Sequence, residues 1–495
     1  MKSDPRYALL ALNRFGYGPR GASADLNAAA GDPRGLLKVE LDQPQVALAN
    51  ETSLSSSREA LQALFAERQR IQAMRQKEPT QPEATGGRLD VPPAPAKLEP
   101  STSKLAAPRD VAQGNTTSEV KAKAEQPVPQ QLFRAEALVR FRKVAAAETG
   151  YVERLVQFWS NHFCVSATKG GPVRATAGSF EREAIRPHVL GRFGDMLRSV
   201  VQHPAMLAYL DNAQSFGPTS MAGLRQKRGL NENLAREILE LHTLGVGGGY
   251  TQADVTSLAQ VLTGWTFSGA QGRAGEPGVF AFFPRAHEPG DRVLLGKRYK
   301  AAGIEQGEAI LADLARHPST ARHIATKLAQ HFVADAPPAA LVDRLAAVFK
   351  STDGDLKAIA IALIEDDEAW NASQAKIRSP YEFLMAAVRA TGHVPEDVRL
   401  LLAPLVVMGM PLWQPRGPNG WPDTAAAWAT PNGMKSRLDI SAAIATRAKD
   451  ANPRQLMDAC LGPTVSAETR QAVGRAESRQ QGLALLLMSP EFQWR

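Results

Sequence analysis

Apolar residues recur at helical spacing along most of the chain. Leu9, Leu12 and Phe15 do so first, behind Asp4-Pro5, an N-cap followed by proline at the first helical position. The same spacing predicts helices over 57–76, 134–147, 150–163, 177–201, 231–244, 252–263, 306–315, 320–332, 338–350, 355–365, 379–391, 434–447 and 479–488. Gly264 reads as a helix stop, and Thr251 with Asp254 as a capping box. His203-Pro204, His317-Pro318 and Ser489-Pro490 each end a Leu-rich helix and start a short new one, which gives both histidines a capping role. A β pattern occurs only around 279–299, where Val279 to Phe283 and Val293 to Tyr299 are expected to pair as one hairpin across 287–291.

One stretch breaks the pattern. No aromatic residue lies between Phe65 and Phe133, and nine of the 34 prolines fall within 79–129. Such a segment buries too little apolar surface to offset its ordering entropy. The expectation is therefore a mainly α, large multi-helix globular protein with one small β-hairpin. An N-terminal helical segment, 1–78, packs on a main helical domain, 129–495, and a disordered Pro-rich and charged insertion, 79–128, separates them.

Composition narrows the function classes. Across 495 residues, 44% are apolar and 22% charged, so a sizeable core is available. Two cysteines, Cys164 and Cys460, exclude a disulfide framework and a four-cysteine zinc site. The net charge of +8 is mild, and its one tight cluster is Arg225-Gln226-Lys227-Arg228, so nucleic acid is not an expected partner. No stretch approaches 18 apolar residues, so no membrane span is expected. The run Tyr7 to Leu12 is shorter than a usual secretory core. As numbered, the chain reads as cytoplasmic, or as periplasmic or secreted if an export signal lies upstream.

The densest polar segment runs from Asn231 to Thr243. On a regular helix, His242 joins the apolar face, while Asn233, Glu237 and Glu240 lie opposite. That polar face is either solvated or turned to a cavity, where the carboxylates at i and i+3 split acid and base roles or share a cation. His162 also falls on an apolar helix face. It is either a core residue or, with His242 and Asp211, a ligand to a buried divalent metal ion. His287 in the 287–291 loop offers a ligand or general base. Arg225 and Arg228, ahead of the 231–244 helix, suit an anion. The 410–423 loop cannot be helical; Trp413 and Trp421 either wall a pocket with Arg416 and Asp423 or plug the core. His323, Lys327 and His331, at i, i+4 and i+8, read as a polar helix border.

Several segments together resemble the bacterial domain-of-unknown-function family number 1800. They are Leu12 to Gly18, Trp159 to Phe163, His203 to Leu207 with Tyr209 to Asn212, and Asn231 to Val246. Gly249 to Thr251, Leu262 to Trp265, His287, Leu295 to Lys297, Ser379-Pro380 with Glu382, Gly420 to Asp423 and Ser489 to Phe492 complete the set. The resemblance covers nearly the whole chain outside 79–128. It implies a mostly helical protein, often exported, with no settled activity or catalytic residues. It also implies a gene neighbour from family number 1501, which is similar to the alkaline phosphatase and sulfatase superfamily. Two function classes follow. One is a metal-assisted or acid–base enzyme with its site between helices, drawing on Glu237, Glu240, His287 and Asp423. The other is a non-catalytic scaffold for a family-1501-like partner.

Overall fold

The computed structural model describes residues 5–21, 29–43, 45–49, 51–77, 126–371 and 376–495. Most of the segment expected to be an insertion lies outside these residues, as does Asp4. The architecture is mainly α, and most of the predicted helices are present within a few residues of the expected ends. Tyr151–His162, Gln252–Val261, Pro318–Phe332, Pro380–Thr391 and Pro431–Arg447 are among them. No helix among the described residues is long and apolar enough to cross a membrane.

The cap signals act as the sequence indicates. Nδ1 of His203 accepts from the Ala205 amide at 3.1 Å, and Nδ1 of His317 accepts from the Ser319 amide at 3.1 Å. Thr251 and Asp254 form a reciprocal capping box, as do Ser379 and Glu382. Gly264 supplies the left-handed residue after its helix, with φ of 79°.

Two expectations are corrected. The single helix over 177–201 is broken into Gly171–Phe180, a π turn at Glu181–Ile185, a 3-10 turn at Arg186–His188 and a helix at Phe193–Gln202. Pro187 lacks the N–H that a continuous helix would need there. The 279–299 region does not form one hairpin. Phe280–Phe282 pairs back to Trp265–Phe267, and Arg292–Leu294 pairs with Lys297–Tyr299. Leu295 and Gly296 both have positive φ and close a two-residue turn, which claims the later strand locally. Shorter helices at Pro33–Asp42, Met221–Gln226, Arg399–Val407, Pro453–Cys460 and Ala467–Gly474 had no strong periodic signal.

Two buried clusters organise the core. One surrounds Tyr151–His162 and takes in Phe15, Leu37 and Leu41 from the N-terminal segment. The other surrounds Pro380–Thr391, whose described side chains from Pro380 to Ala390 are all buried, and takes in Tyr17. Trp413 packs against both. Its indole N–H donates to Glu181 at 3.2 Å.

Candidate functional site

Three helices meet with polar faces inward. Tyr151–His162 ends at His162 and hands over to Cys164. The helix beginning at Asn233 changes to a π turn over Ile238–His242, which admits an extra residue per turn and shifts the phase of its last side chains. Pro318–Phe332 contributes His323, Lys327 and His331. The polar-border expectation for this stripe is corrected: His331 is buried, His323 and Lys327 are half-buried, and all three face other elements.

The hydrogen bonds fix how protons are held here. Nε2 of His162 lies 3.1 Å from the His242 carbonyl, so it carries the proton and donates. Nδ1 of His162 is then an acceptor, and Nζ of Lys327 stands 3.0 Å from it. His323 donates through Nε2 to the Leu241 carbonyl at 3.0 Å. A Cβ at Gly245 would come within 2.8 Å of the other nitrogen of His323, and that glycine has φ of 84°, so glycine suits it twice over. The His162 ring lies 6.1 Å from that of His242 and 6.0 Å from that of His323.

Burial, reinforced by Lys327 and His323, keeps His162 and His242 neutral; His242 falls to about 3 and His162 well below its ordinary value. Burial also pushes the Lys327 amine down to about 8. Among the described residues Lys327 has no carboxylate within ion-pair distance. Nδ1 of His242 is buried without a hydrogen-bond partner.

Glu237 and Glu240 are half-buried. Burial, then the Glu240 charge, pushes the Glu237 carboxyl up to about 7. Glu240 accepts from the Tyr250 hydroxyl at 3.3 Å, whereas Glu237 has no hydrogen-bond or ion-pair partner among the described residues. Cys164 lies within electrostatic reach of both Lys327 and Glu237. Burial pushes its thiol up to about 12; Lys327 pulls it down and Glu237 pushes it further up. Both cysteines are buried, and neither is in a disulfide.

The 413–423 loop closes one side. Cys164 Sγ donates to the Pro418 carbonyl at 3.3 Å. The expected pocket is divided. Trp421 and Arg416 line a cavity of about 500 Å³ together with Trp428, while Trp413 joins Trp421 only in a cleft of about 40 Å³. Asp423 turns toward the core: its Oδ2 lies 2.6 Å from Nδ1 of His331, and its Oδ1 lies 3.3 Å from Lys376. Burial alone would raise this carboxyl, but His331, Lys376 and Arg495 outweigh burial and hold it well below the usual range. The far nitrogen of His331 faces Arg154 at 3.2 Å. Arg154 and Arg495 in turn share Glu382, at 2.8 and 2.9 Å. This network is absent from the sequence reading, since no local spacing joins residues so far apart.

Other candidates lie apart from the cleft. Asp211, with φ of 57°, pairs with Lys169 at 2.5 Å, and both ring nitrogens of His162 are already committed. The expected His162, Asp211 and His242 metal set is therefore not assembled. Among the described residues no group of three or more His, Cys, Asp or Glu side chains could hold a metal ion. His287 bonds the Thr263 carbonyl through Nδ1 at 3.1 Å, and Glu288 clamps Thr219. Asn233 is exposed at the start of its helix. Arg225 and Arg228 are exposed, and the Arg228 guanidinium stacks on Phe216 at 5.2 Å.

Comparison with curated proteins and with solved structures gives no match. A family model does match, over residues 10–494. The chain therefore belongs to the family described as protein of unknown function (DUF1800).

Proposed function

We propose that the protein is an acid–base enzyme whose working groups lie where the end of Tyr151–His162, the 233–242 helix and Pro318–Phe332 come together. One observation carries the reading. Glu237 is a half-buried carboxyl with no partner among the described residues, pushed up to about 7 by burial and Glu240. Near neutral pH such a group is present in both forms, which suits proton transfer in either direction. Glu382 and Asp423, by contrast, are bonded and depressed. Glu240 supplies the charge that tunes Glu237. Asp423 positions the loop, and His287 braces the 263–288 turn. The reading assigns no step to a divalent ion, because the described side chains do not converge on one.

Carbon-13 NMR of protein labelled at the glutamate carboxyl tests it directly. A resonance that titrates near pH 7 and disappears in Glu237→Gln is expected. A Glu237 carboxyl titrating below pH 5 would remove the basis of the reading. Any turnover found with ester, amide or carbonyl substrates is expected to fall by about 100-fold in Glu237→Gln, the usual worth of a general acid or base.

One observation favours the scaffold reading instead. Met221 and Leu224 are 65% and 68% exposed beside Arg225, Lys227 and Arg228. Under that reading, Met221→Glu with Leu224→Glu abolishes co-purification with a family-1501-like, alkaline-phosphatase-related partner, and Glu237→Gln leaves it intact.

A further inference from the structure

We propose that the cavity between the 413–423 loop and the start of Pro431–Arg447 binds a sugar acid, a hydroxylated ring that carries one carboxylate. Glu237 does not line this cavity, so the inference goes beyond the acid–base reading and does not depend on it.

The cavity has a volume of about 500 Å³, within the range of small-molecule sites. Trp421 and Trp428 form its aromatic wall, and Val407 and Met408 complete the apolar side. Both tryptophans are fixed by the protein itself. The Trp428 indole N–H donates to the Pro422 carbonyl at 2.9 Å, and Asn161 holds the Trp421 backbone. The wall therefore stands in place before any ligand arrives. The Trp421 indole N–H has no partner among the described residues.

Charge selects an anion. No Asp or Glu is among the described residues that line the cavity. Arg416 is exposed at its rim and has no hydrogen-bond or ion-pair partner among the described residues. Arg437, 1% exposed, also lines it. Its guanidinium donates to Gln493 Oε1 at 2.6 Å and to the Arg378 carbonyl, both neutral acceptors. Arg378 is itself buried and donates to Asn13 Oδ1 and the Phe492 carbonyl. Glu382 acts on both guanidiniums from beyond ion-pair distance and is already shared by Arg154 and Arg495. The field at the cavity is therefore positive. The N-terminal end of the 17-residue helix Pro431–Arg447 adds to it, since Thr430, Asn432 and Gly433 line the cavity as well.

The remaining polar groups select hydroxyls. A bare carboxylate would engage Arg416 and little else. Asn419, Asn432 and Ser436 line the same cavity, and their side chains have no hydrogen-bond partner among the described residues. Each can donate and accept, which matches the hydroxyl groups around a sugar ring. The two tryptophan rings lie 6.3 Å apart and tilted by 55°, so they leave no slot between them for a flat aromatic ring. The C–H face of a sugar needs only one indole to pack on.

The test titrates the full chain at pH 7 with D-glucuronate by isothermal calorimetry, with D-glucose and benzoate as controls for ring and charge. Glucuronate is expected to bind with a Kd of about 1 mM or tighter, and glucose at least about tenfold more weakly. Arg416→Ala is expected to weaken glucuronate about tenfold and to leave the thermal midpoint unchanged, because Arg416 is exposed. Ser436→Phe places a ring in the cavity and is expected to abolish binding; should it not fold, the Arg416 variant still decides. Methyl β-D-glucuronide separates two sources of the ligand. Retained binding means that a glycoside end group is accepted, and lost binding limits the site to the free sugar acid. Equal affinity of wild type and Arg416→Ala for glucuronate overturns the proposal. So does glucose binding as tightly as glucuronate, benzoate binding more tightly, or no glucuronate binding below about 10 mM. None of these outcomes touches the Glu237 titration, so the two readings fail separately.

Discussion

Asn161 and Trp421 exchange two hydrogen bonds across 260 residues of sequence. The Asn161 amide donates to the Trp421 carbonyl at 2.9 Å, and the Trp421 N–H donates to Asn161 Oδ1 at 2.7 Å. The side chain thus acts as a short strand segment and fastens the 413–423 loop to the end of Tyr151–His162. Gly420 lets this happen: its φ is 75°, and a Cβ would stand 2.5 Å from the Asn161 carbonyl. Asn161→Ala is expected to cost about 2–4 kcal/mol, since two backbone groups lose partners. Urea unfolding checks it. A change below about 0.5 kcal/mol would mean that the loop is held by its other contacts.

Glu237 makes stability fall with rising pH. Its folded carboxyl is raised from 4.5 to about 7, so the folded protein binds the extra proton between these values. The contribution is complete below pH 4.5 and lost as pH climbs through 7. Discounted for solvent screening, Glu237→Gln should flatten this loss by about 1–2 kcal/mol. Urea midpoints at pH 5 and pH 8 for both proteins measure it. Parallel changes in both would contradict the assignment.

Glu382 works in the opposite sense. Burial opposes its ionisation, but Arg154 and Arg495 outweigh burial and hold the carboxyl down to about 2. Its contribution is therefore present above about pH 4.5 and lost as pH falls toward 2. Glu382→Gln strands two buried guanidiniums and is expected to cost about 3–5 kcal/mol at pH 7. Retention of wild-type thermal stability by this variant would show that other acceptors satisfy both arginines.

Cys164 is expected to resist thiol reagents. Its sulfur is buried, donates to a carbonyl and has a thiol pushed up to about 12. Ellman's reagent should label it only as the protein unfolds in denaturant. Rapid labelling of Cys164 in buffer at pH 8 would indicate that the 413–423 loop opens.

Local chemistry was legible from sequence wherever a side chain bonds its own neighbourhood. His203, His317 and Thr251 cap their helices because proline or a carboxylate sits at the matching offset. The inward faces of His162 and His242 followed from helical spacing. The stripe of His323, Lys327 and His331 did not reveal itself. A helix covered on two sides carries the same polar pattern as one with a wet face, and its partners lie 82, 165 and 92 residues away. Asp423 was singled out, but as a pocket wall rather than as the partner of His331. Glu382 entered only through the family resemblance, and nothing nearby in sequence marks it as the anion between two buried arginines.

Arg495 carries a consequence for synthesis. Its guanidinium is buried and bonds the His331 carbonyl at 2.9 Å as well as Glu382, closing the network beneath Asp423. During translation at about 5–20 residues per second, roughly 8–33 s pass between the making of His331 and the making of Arg495. Until Arg495 is made, Glu382 has met only one of its two arginine partners, Arg154. A chain without Arg495 would hold Glu382 through Arg154 alone and leave the His331 carbonyl without this donor.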